Sequence, residues 1–291
     1  MRLLKTVILG GLLCLLPLAA HAVTLEEVIA GPQRTDAQKA RDQYRHPLKT
    51  LRFFDIKPDM TVVEVLPIGG WYTSILAPYL KDHGTYYAAL FRDDPNNAYT
   101  KRGRDAFVRD YVNKPDEFGN IKLAVMDPAA GTKLVPDGTA DRVLTFRNVH
   151  TWMAQGQAQA AFKLFYDALK PGGILGVVEH RAHDEGNQDP RARSGYVQQS
   201  YVVKLATEAG FLLVGQSEVN ANPLDTKNYP QGVWTLPPSL RLGETDRAKY
   251  VAIGESDRMT LKFVKPGGPP VTDDRPQRLH ESLQDLKSGG N

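Results

Sequence analysis

Short apolar runs alternate with amphipathic stretches through the middle of the chain. Apolar, β-branched runs predict strands at residues 60–66, 85–91, 121–126, 140–146, 173–179, 211–219 and 259–265. Stretches with a helical period predict helices at residues 71–81, 97–112, 155–170 and 194–209. Strands that alternate with helices indicate an α/β fold, a mostly parallel sheet with helices on both faces.

The two ends of this region follow a different pattern. Residues 24–54 are predicted to be helical, with breaks at Gly31-Pro32 and at His46-Pro47. Residues 220–256 are rich in Pro, Asn and Gly and show no dominant helical period. The strand at 259–265 follows them without a crossover helix, so we expect it to pair antiparallel to the strand at 211–219.

The pattern therefore predicts one domain over residues 23–265, in which residues 24–56 form N-terminal helices and residues 220–256 an insertion. Residues 266–291 begin Pro-Gly-Gly-Pro-Pro and are predicted to form an irregular tail.

The first 22 residues have the pattern of a secretory signal peptide. Arg2 and Lys5 are followed by an apolar run over residues 7–20, and Ala20-His21-Ala22 fits a signal peptidase site. The run is shorter than the roughly 20 residues of a spanning helix, so an uncleaved membrane anchor is the weaker alternative. We expect cleavage after Ala22 and export, to the periplasm if the cell has one, without stable membrane insertion of the mature chain.

Composition excludes several classes of function for the mature chain. Cys14 is the only cysteine and lies in the signal peptide, which excludes disulfides, a thiol nucleophile and a cysteine metal site. Removing Arg2 and Lys5 from 36 basic residues leaves 34 against 33 acidic residues. This balance gives no electrostatic reason to expect a nucleic acid as partner.

Candidate chemistry begins after the first strand, where residues 64–71 read Glu-Val-Leu-Pro-Ile-Gly-Gly-Trp. A glycine turn between a first strand and its helix lets a ligand approach the backbone closely. Leu66 and Ile68 stand where the dinucleotide pattern has glycines. This segment alone fits a ligand loop or a simple tight turn equally well.

Three later segments also lie at or next to the ends of predicted strands. Asp127 follows the third strand, residues 146–152 (Phe-Arg-Asn-Val-His-Thr-Trp) end the fourth, and residues 170–173 (Lys-Pro-Gly-Gly) turn into the fifth. This ordered set resembles class I S-adenosylmethionine-dependent methyltransferases over roughly residues 38–219 and 259–265. Residues 59–64, 70–72 and 178–181 further resemble a group of export-signalled bacterial proteins called predicted methyltransferases.

The resemblance implies a Rossmann-like sheet of strand order 3-2-1-4-5-7-6 with the last strand antiparallel, and S-adenosylmethionine as cofactor. It implies that Glu64 and Gly70 hold the methionine part of the cofactor and that Asp127 contacts the adenine amino group. The acidic residue that grips the ribose in the family falls at Leu90, and Asp93 is the nearest substitute. The full set of cofactor candidates is Glu64, Gly69, Gly70, Trp71, Asp93, Asp127 and Asn148.

Methyl transfer needs alignment and a dry pocket, and it needs a base only where the acceptor must lose a proton. The candidates are His150, Glu179 and His180, each at the end of a predicted strand. A purely structural hydrogen bond within the loop remains an alternative for His150. His183 is expected to be a solvated loop residue. No metal site is predicted, because polar residues such as those around His180 collect in loops by chance.

Three functions fit these features to different degrees. The first is methyl transfer to a small molecule, and the aromatic residues of the 220–256 insertion favour an apolar or aromatic acceptor. The second is an exported binding domain that keeps the fold without catalysis, which the altered glycine loop favours. A nicotinamide-dependent oxidoreductase is disfavoured by the missing Gly-x-Gly-x-x-Gly pattern. The sequence does not predict the oligomeric state.

Overall fold

The apolar runs form a seven-stranded sheet in a computed structural model that describes residues 23–267. The predicted signal peptide and nearly all of the predicted tail lie outside the described residues. The strands are β1 Thr61–Val65, β2 Thr85–Leu90, β3 Lys122–Val125, β4 Ala140–Phe146, β5 Leu169–His180, β6 Leu212–Ser217 and β7 Arg258–Val264. The helices are α1 Leu25–Ala30, α2 Asp36–Lys39, α3 Asp42–Arg45, α4 Pro47–Phe53, α5 Thr73–Leu80, α6 Ala98–Phe107, α7 Pro115–Phe118, α8 Val149–Ala154, α9 Ala158–Ala168, α10 Gln199–Glu208 and α11 Arg247–Ile253.

The strand order β3-β2-β1-β4-β5-β7-β6 confirms the prediction. The first five strands are parallel, and β7 runs antiparallel between β5 and β6. In the centre of the sheet Val63 of β1 lies opposite Tyr87 of β2 and Val143 of β4. The carboxyl ends of β1, β4 and β5 therefore meet at one edge, where ligands bind in open α/β sheets.

Helices cover both faces of the sheet, and each face has its own apolar core. Val63 packs with Trp152, Phe162 and other residues of α8 and α9 on one face. Its neighbour Val62 packs with Leu51, Ile75 and other residues of α4 and α5 on the opposite face. Successive strand side chains point to opposite faces, which explains why apolar residues such as Val62 and Val63 follow each other directly in these strands.

The N-terminal segment folds into four short helices at the breaks that the sequence predicts. Thr24 caps α1 in a capping box with Glu27, and Thr35 does the same for α2 with Gln38. His46 turns the chain with a φ of 40°, and Pro47 begins α4. In residues 23–267, no helix has the length and apolar character needed to cross a membrane.

Several boundaries differ from the sequence prediction. The helix predicted over residues 155–170 is replaced by α8 and α9, which Gly156 separates, and β5 begins already at Leu169. The end of the helix predicted over residues 97–112 is a π-helix, Val108–Val112. The insertion contains α11 and a 3-10 helix, Gly232–Thr235. Helices this short span too few turns to show a clear period in sequence.

Candidate active site

The loop after β1 keeps the backbone of a glycine turn although it has lost two glycines. Leu66 has a φ of 48°, and Gly69 and Gly70 have φ values of 78° and 61°. A left-handed conformation at a non-glycine residue costs roughly 1–2 kcal/mol. Such strain persists where the surrounding structure fixes the conformation, and it is concentrated at functional sites.

The two glycines of this loop face different surroundings. A Cβ atom at Gly70 would lie 2.1 Å from the ring of Tyr111, whereas one at Gly69 would have no atom within 4 Å. The Tyr111 hydroxyl lies 3.2 Å from the carbonyl oxygen of Gly69, to which it donates, and Gln38 donates to that hydroxyl. Gly70 is therefore needed for close packing against Tyr111, and the open face of the loop is at Gly69.

An apolar cavity of about 310 Å³ opens beside this loop at the ends of β1 and β2. Its walls include Ile68, Leu90, Phe91, Tyr99 and Phe107. Ile68 and Tyr99 are 50% and 66% exposed, which is unusual for large apolar side chains. The cavity offers aromatic and aliphatic surface to a flat ring.

Glu64 lies buried below the loop, where burial destabilises the ionised form of its carboxyl group. Its Oε2 accepts hydrogen bonds from Tyr86, at 2.6 Å, and from Thr73, at 3.1 Å. Burial raises the pKa of Glu64 to about 7, although these hydroxyls and the charge of Arg147 oppose the shift. Glu64 forms no ion pair within residues 23–267, so no direct cationic partner compensates its negative charge there.

The other predicted cofactor residues mostly make contacts within the protein. Asp127 accepts from Arg92 at 2.7 Å and from the backbone N–H of Ala130 at 3.1 Å. Asn148 donates to the carbonyl oxygen of Val65 at 2.9 Å and so joins the ends of β1 and β4. Asp93 is exposed in the loop after β2, and Leu90 is the last residue of that strand, as predicted.

Trp71 is buried between two arginines. Its Nε1 donates to the carbonyl oxygen of Gln38 at 2.9 Å, and the guanidinium carbons of Arg34 and Arg45 lie 5.0 and 4.6 Å from its ring centroid. Tyr72 packs its ring on Phe146 at 3.7 Å between centroids. Trp71 therefore forms a wall of a site that is rich in positive charge.

The structure brings His150, Glu179 and His180 together, with one ligand-type atom of each within 4.8 Å of the others. Glu179 of β5 is fully buried beside the start of α8. It accepts hydrogen bonds from the backbone N–H groups of Val149 and His180 at 2.6 and 2.7 Å. Its Oε1 also lies 3.1 Å from Nδ1 of His150. A carboxylate only accepts, so Nδ1 of His150 carries the proton of this hydrogen bond, and Nε2 is the ring atom that could accept a proton when the ring is neutral.

His180 is held neutral beside this pair. Its Nδ1 lies 2.5 Å from the Ser256 hydroxyl, and its ring centroid lies 5.5 Å from that of His150. Burial, and after it the charges of His150 and Arg147, hold the pKa of His180 well below its usual range. His183 lies exposed on the following loop.

The His150, Glu179 and His180 side chains have the spacing of a metal site. Two observations weigh against a divalent cation there. Both Glu179 oxygens are already engaged by N–H groups, and Arg147, Arg258 and Arg45 act on His180 as nearby positive charges. The geometry favours a hydrogen-bonded pair of His150 and Glu179, in which Glu179 positions the imidazole.

Sequence reasoning missed a cluster of arginines, which we call the arginine cluster: Arg41, Arg45, Arg147 and Arg258. Arg41, Arg45 and Arg258 all bind Glu255, at 2.6, 3.3 and 2.7 Å. They come from distant parts of the chain, so no motif spacing connects them. One signal was visible: Arg147 directly follows a strand that is apolar at its carboxyl end.

The sequence matches no family model and no curated protein. Solved structures do match. An S-adenosylmethionine-dependent methyltransferase from Aquifex aeolicus is 16% identical at a TM-score of 0.50, covering 84% of this chain and 99% of that one. The cyclase SpnF is 15% identical at a TM-score of 0.54, covering 84% of this chain and 93% of that one.

A phosphoethanolamine N-methyltransferase 2 from Haemonchus contortus, solved with S-adenosylmethionine, is 16% identical at a TM-score of 0.51. The match covers 85% of this chain and 61% of that protein. Identities this low establish the fold alone. The chain has the Rossmann-like fold of class I S-adenosylmethionine-dependent methyltransferases, and its resemblance to the export-signalled group stays a prediction.

Proposed function

We propose that this protein transfers a methyl group from S-adenosylmethionine to a small-molecule acceptor. The observation that carries the proposal is the His150–Glu179 pair at the carboxyl ends of β4 and β5, beside the loop after β1. In a sheet of this strand order, that edge is where a cofactor and an acceptor meet. Fold alone does not decide the chemistry, since the similar structure SpnF is described as a cyclase.

His150 acts in this proposal as a general base. Its side chain is 13% exposed and Trp234 of the insertion lies 6.0 Å away between ring centroids, so it is screened from bulk water. Glu179 fixes the tautomer and stabilises the imidazolium that forms when Nε2 accepts a proton. When bound, S-adenosylmethionine supplies an electrophilic methyl group on a sulfonium.

The residues around the loop fit this cofactor. The uncompensated carboxylate of Glu64 suits the cationic methionine part, and the open face at Gly69 allows close approach to the backbone. The apolar cavity suits the adenine ring through Phe91 and Tyr99. Trp71 and Asn148 would border the methionine, Asp127 the adenine amino group and Asp93 the ribose.

Calorimetric titration with S-adenosylmethionine and with NAD tests the cofactor assignment. We expect binding of the first and none of the second, and the reverse result would contradict the proposal. Transfer is tested by incubating the protein with cofactor labelled in its methyl group and a small-molecule extract of the host. His150→Gln should abolish label transfer and leave the cofactor's Kd within about twofold, whereas His183→Gln, an exposed control, should change neither.

A binding domain without catalysis is the second candidate. It is favoured by Leu66 and Ile68 in the loop and by Leu90 at the end of β2, which together remove contacts that the family makes to the cofactor. Cofactor binding without any label transfer would support this candidate. Absence of binding together with intact folding would refute methyl transfer altogether.

We also propose that the protein is exported and that the insertion forms part of the acceptor site. Pro238 lines a second cavity beside Trp71, and Trp234 lies near His150, which places the insertion next to the proposed chemistry. Export is tested by N-terminal sequencing of protein purified from a fractionated host. A chain that begins at Val23 outside the cytoplasm supports export, and an intact Met1 in the soluble cytosolic fraction refutes it.

A further inference from the structure

The arginine cluster carries more positive charge than the protein neutralises. Three of its four guanidiniums, those of Arg41, Arg45 and Arg258, form ion pairs with one carboxylate, Glu255, within residues 23–267. Arg258 and Arg45, with Arg41, hold the pKa of Glu255 at about 2 even though burial opposes this. Glu255 is thus fully ionised, and its single charge is shared among three guanidiniums.

Arg147 lacks such a partner. Its guanidinium makes no hydrogen bond and no ion pair within the described part of the chain, although the side chain is partly buried. Its backbone has a φ of 63°, a strained conformation for a residue with a side chain. Even a partly buried cation without a partner is costly, and strain of this kind is found at ligand sites.

A cavity of about 280 Å³ lies next to these groups. Arg41, Arg45 and Arg147 line it together with Gly69, Trp71 and Pro238. Nη2 of Arg41 is also buried without a hydrogen-bond partner. Burial, and after it repulsion among the guanidiniums, lowers the pKa of Arg45 to about 8 and that of Arg147 to about 10. The guanidiniums of this site thus outnumber the one carboxylate that pairs with them.

We propose that Arg41, Arg45 and Arg147 bind an anionic group, a carboxylate or a phosphate, of the methyl acceptor. This rests on the proposed methyl transfer and names the class of its substrate. Arg147 lies in the short connection between β4 and α8, three residues before His150 of α8. The N-terminal helices and the insertion complete the cavity walls. An acceptor anchored here lies between the cofactor loop and the base.

The same chemistry has a second source, the carboxylate of the cofactor itself. The acceptor is favoured because the methionine part of the cofactor carries an ammonium group as well as a carboxylate. That ammonium group would add positive charge to a cluster in which the guanidiniums already outnumber the one carboxylate. Guanidiniums bind carboxylate and phosphate through paired hydrogen bonds, and a cluster of three suits a group that carries more than one charge.

Calorimetry with inorganic phosphate at constant ionic strength tests the proposal. Wild-type protein should bind phosphate, and Arg147→Met should bind it at least about tenfold more weakly. Arg193→Met, in which the replaced side chain is 77% exposed, should behave as wild type. If Arg147→Met does not fold, Arg41→Gln, whose side chain is 27% exposed, replaces it with the same expectation. Absence of phosphate binding by the wild type would overturn the proposal.

Competition separates the two sources of the anion. Phosphate should bind equally well to protein saturated with S-adenosylmethionine and to protein saturated with 5′-methylthioadenosine, which lacks the amino-acid part. Loss of phosphate binding with S-adenosylmethionine alone would assign the cluster to the cofactor and refute the acceptor assignment. If phosphate binds but S-adenosylmethionine does not, methyl transfer and the acceptor assignment both fail, and only an anion pocket remains.

Discussion

Two parts of the candidate site each contain a buried glutamate at the carboxyl end of a strand. The part around the loop after β1 is the proposed cofactor side, and the part around His150 and the arginine cluster is the proposed acceptor side. Glu64 on β1 has two hydroxyl donors, and its pKa is raised to about 7. Glu179 on β5 has backbone N–H donors from Val149 and His180 and the imidazole of His150. The two carboxylates are equally buried, but only Glu179 receives full compensation from the protein.

The difference indicates separate roles. N–H groups at the start of α8 donate hydrogen bonds to Glu179, so this residue can hold His150 in one tautomer. Glu64 is left with a charge that a bound cation would compensate. The proposed cofactor side would thus depend on its ligand for electrostatic balance. The proposed acceptor side carries its own carboxylate together with an excess of guanidinium charge.

Removing Glu179 should cause the largest effect. Glu179→Ala leaves the backbone N–H groups of Val149, His150 and His180, and the His150 imidazole, without their acceptor. We expect a loss of about 3–5 kcal/mol in the free energy of unfolding, since each unsatisfied donor costs about 1–3 kcal/mol. Urea unfolding measures it, with Glu185→Ala, an exposed residue, as a control within about 0.5 kcal/mol of wild type. A change below about 1 kcal/mol would show that Glu179 is no better compensated than Glu64.

Glu64→Gln should change the free energy of unfolding in the opposite direction and increase it at neutral pH. Its pKa is raised in the folded protein from 4.5 to about 7, so the folded state binds the proton more tightly than the unfolded chain. Stability due to Glu64 is therefore complete below about pH 4.5 and falls by about 3 kcal/mol as the pH rises to 7. The glutamine variant should match wild type at pH 4 and exceed it by up to about 3 kcal/mol at pH 8.

Urea unfolding at pH 4, 6 and 8 checks this expectation, with Glu117→Gln as the exposed control. The same variant should bind S-adenosylmethionine more weakly by about 1.5–3 kcal/mol, because an amide does not match a cationic ligand. A stability difference that does not change with pH would mean that Glu64 is not the titrating group. Unchanged affinity would remove it from the cofactor site.

The sheet could be predicted because strands buried on both faces are mostly apolar, as Val62 and Val63 show. Glu64, His150 and Glu179 could be named because polar residues at or near the carboxyl ends of such strands fall at one edge of the sheet. The arginine cluster could not be predicted from the sequence. Arg45 and Glu255 are 210 residues apart, and only the packing of the N-terminal helices against the segment before β7 brings them together.

Asp127→Ala should weaken S-adenosylmethionine binding by roughly 1–3 kcal/mol, the cost of a buried amino donor without a partner. Asp127 also accepts from Arg92 and Ala130, so a loss of stability alone would be ambiguous. Arg92→Ala separates the two roles, because it breaks the ion pair and leaves the carboxylate in place. Asp137→Ala, which removes an exposed aspartate paired with Lys133, is the control. Equal affinities of Asp127→Ala and wild type would make Asp127 purely structural.

The smallest effect on cofactor affinity is expected for a substitution of Asp93. It tests whether this residue binds the ribose of the cofactor. Asp93 is exposed, and an exposed polar contact contributes less than about 1 kcal/mol, so Asp93→Asn should weaken cofactor binding only about twofold to fivefold. Asp82→Asn, also exposed but at the opposite end of β2, should have no effect. A 2′-deoxy analogue of S-adenosylhomocysteine makes the small effect interpretable, because it lacks a hydroxyl that Asp93 would bind. If Asp93 contacts that hydroxyl, the wild type should lose affinity for the analogue, and Asp93→Asn should bind both ligands equally. If both proteins discriminate between the ligands to the same degree, Leu90 and Asp93 leave the ribose unbound, and the cofactor is held by Glu64, the loop and the apolar cavity.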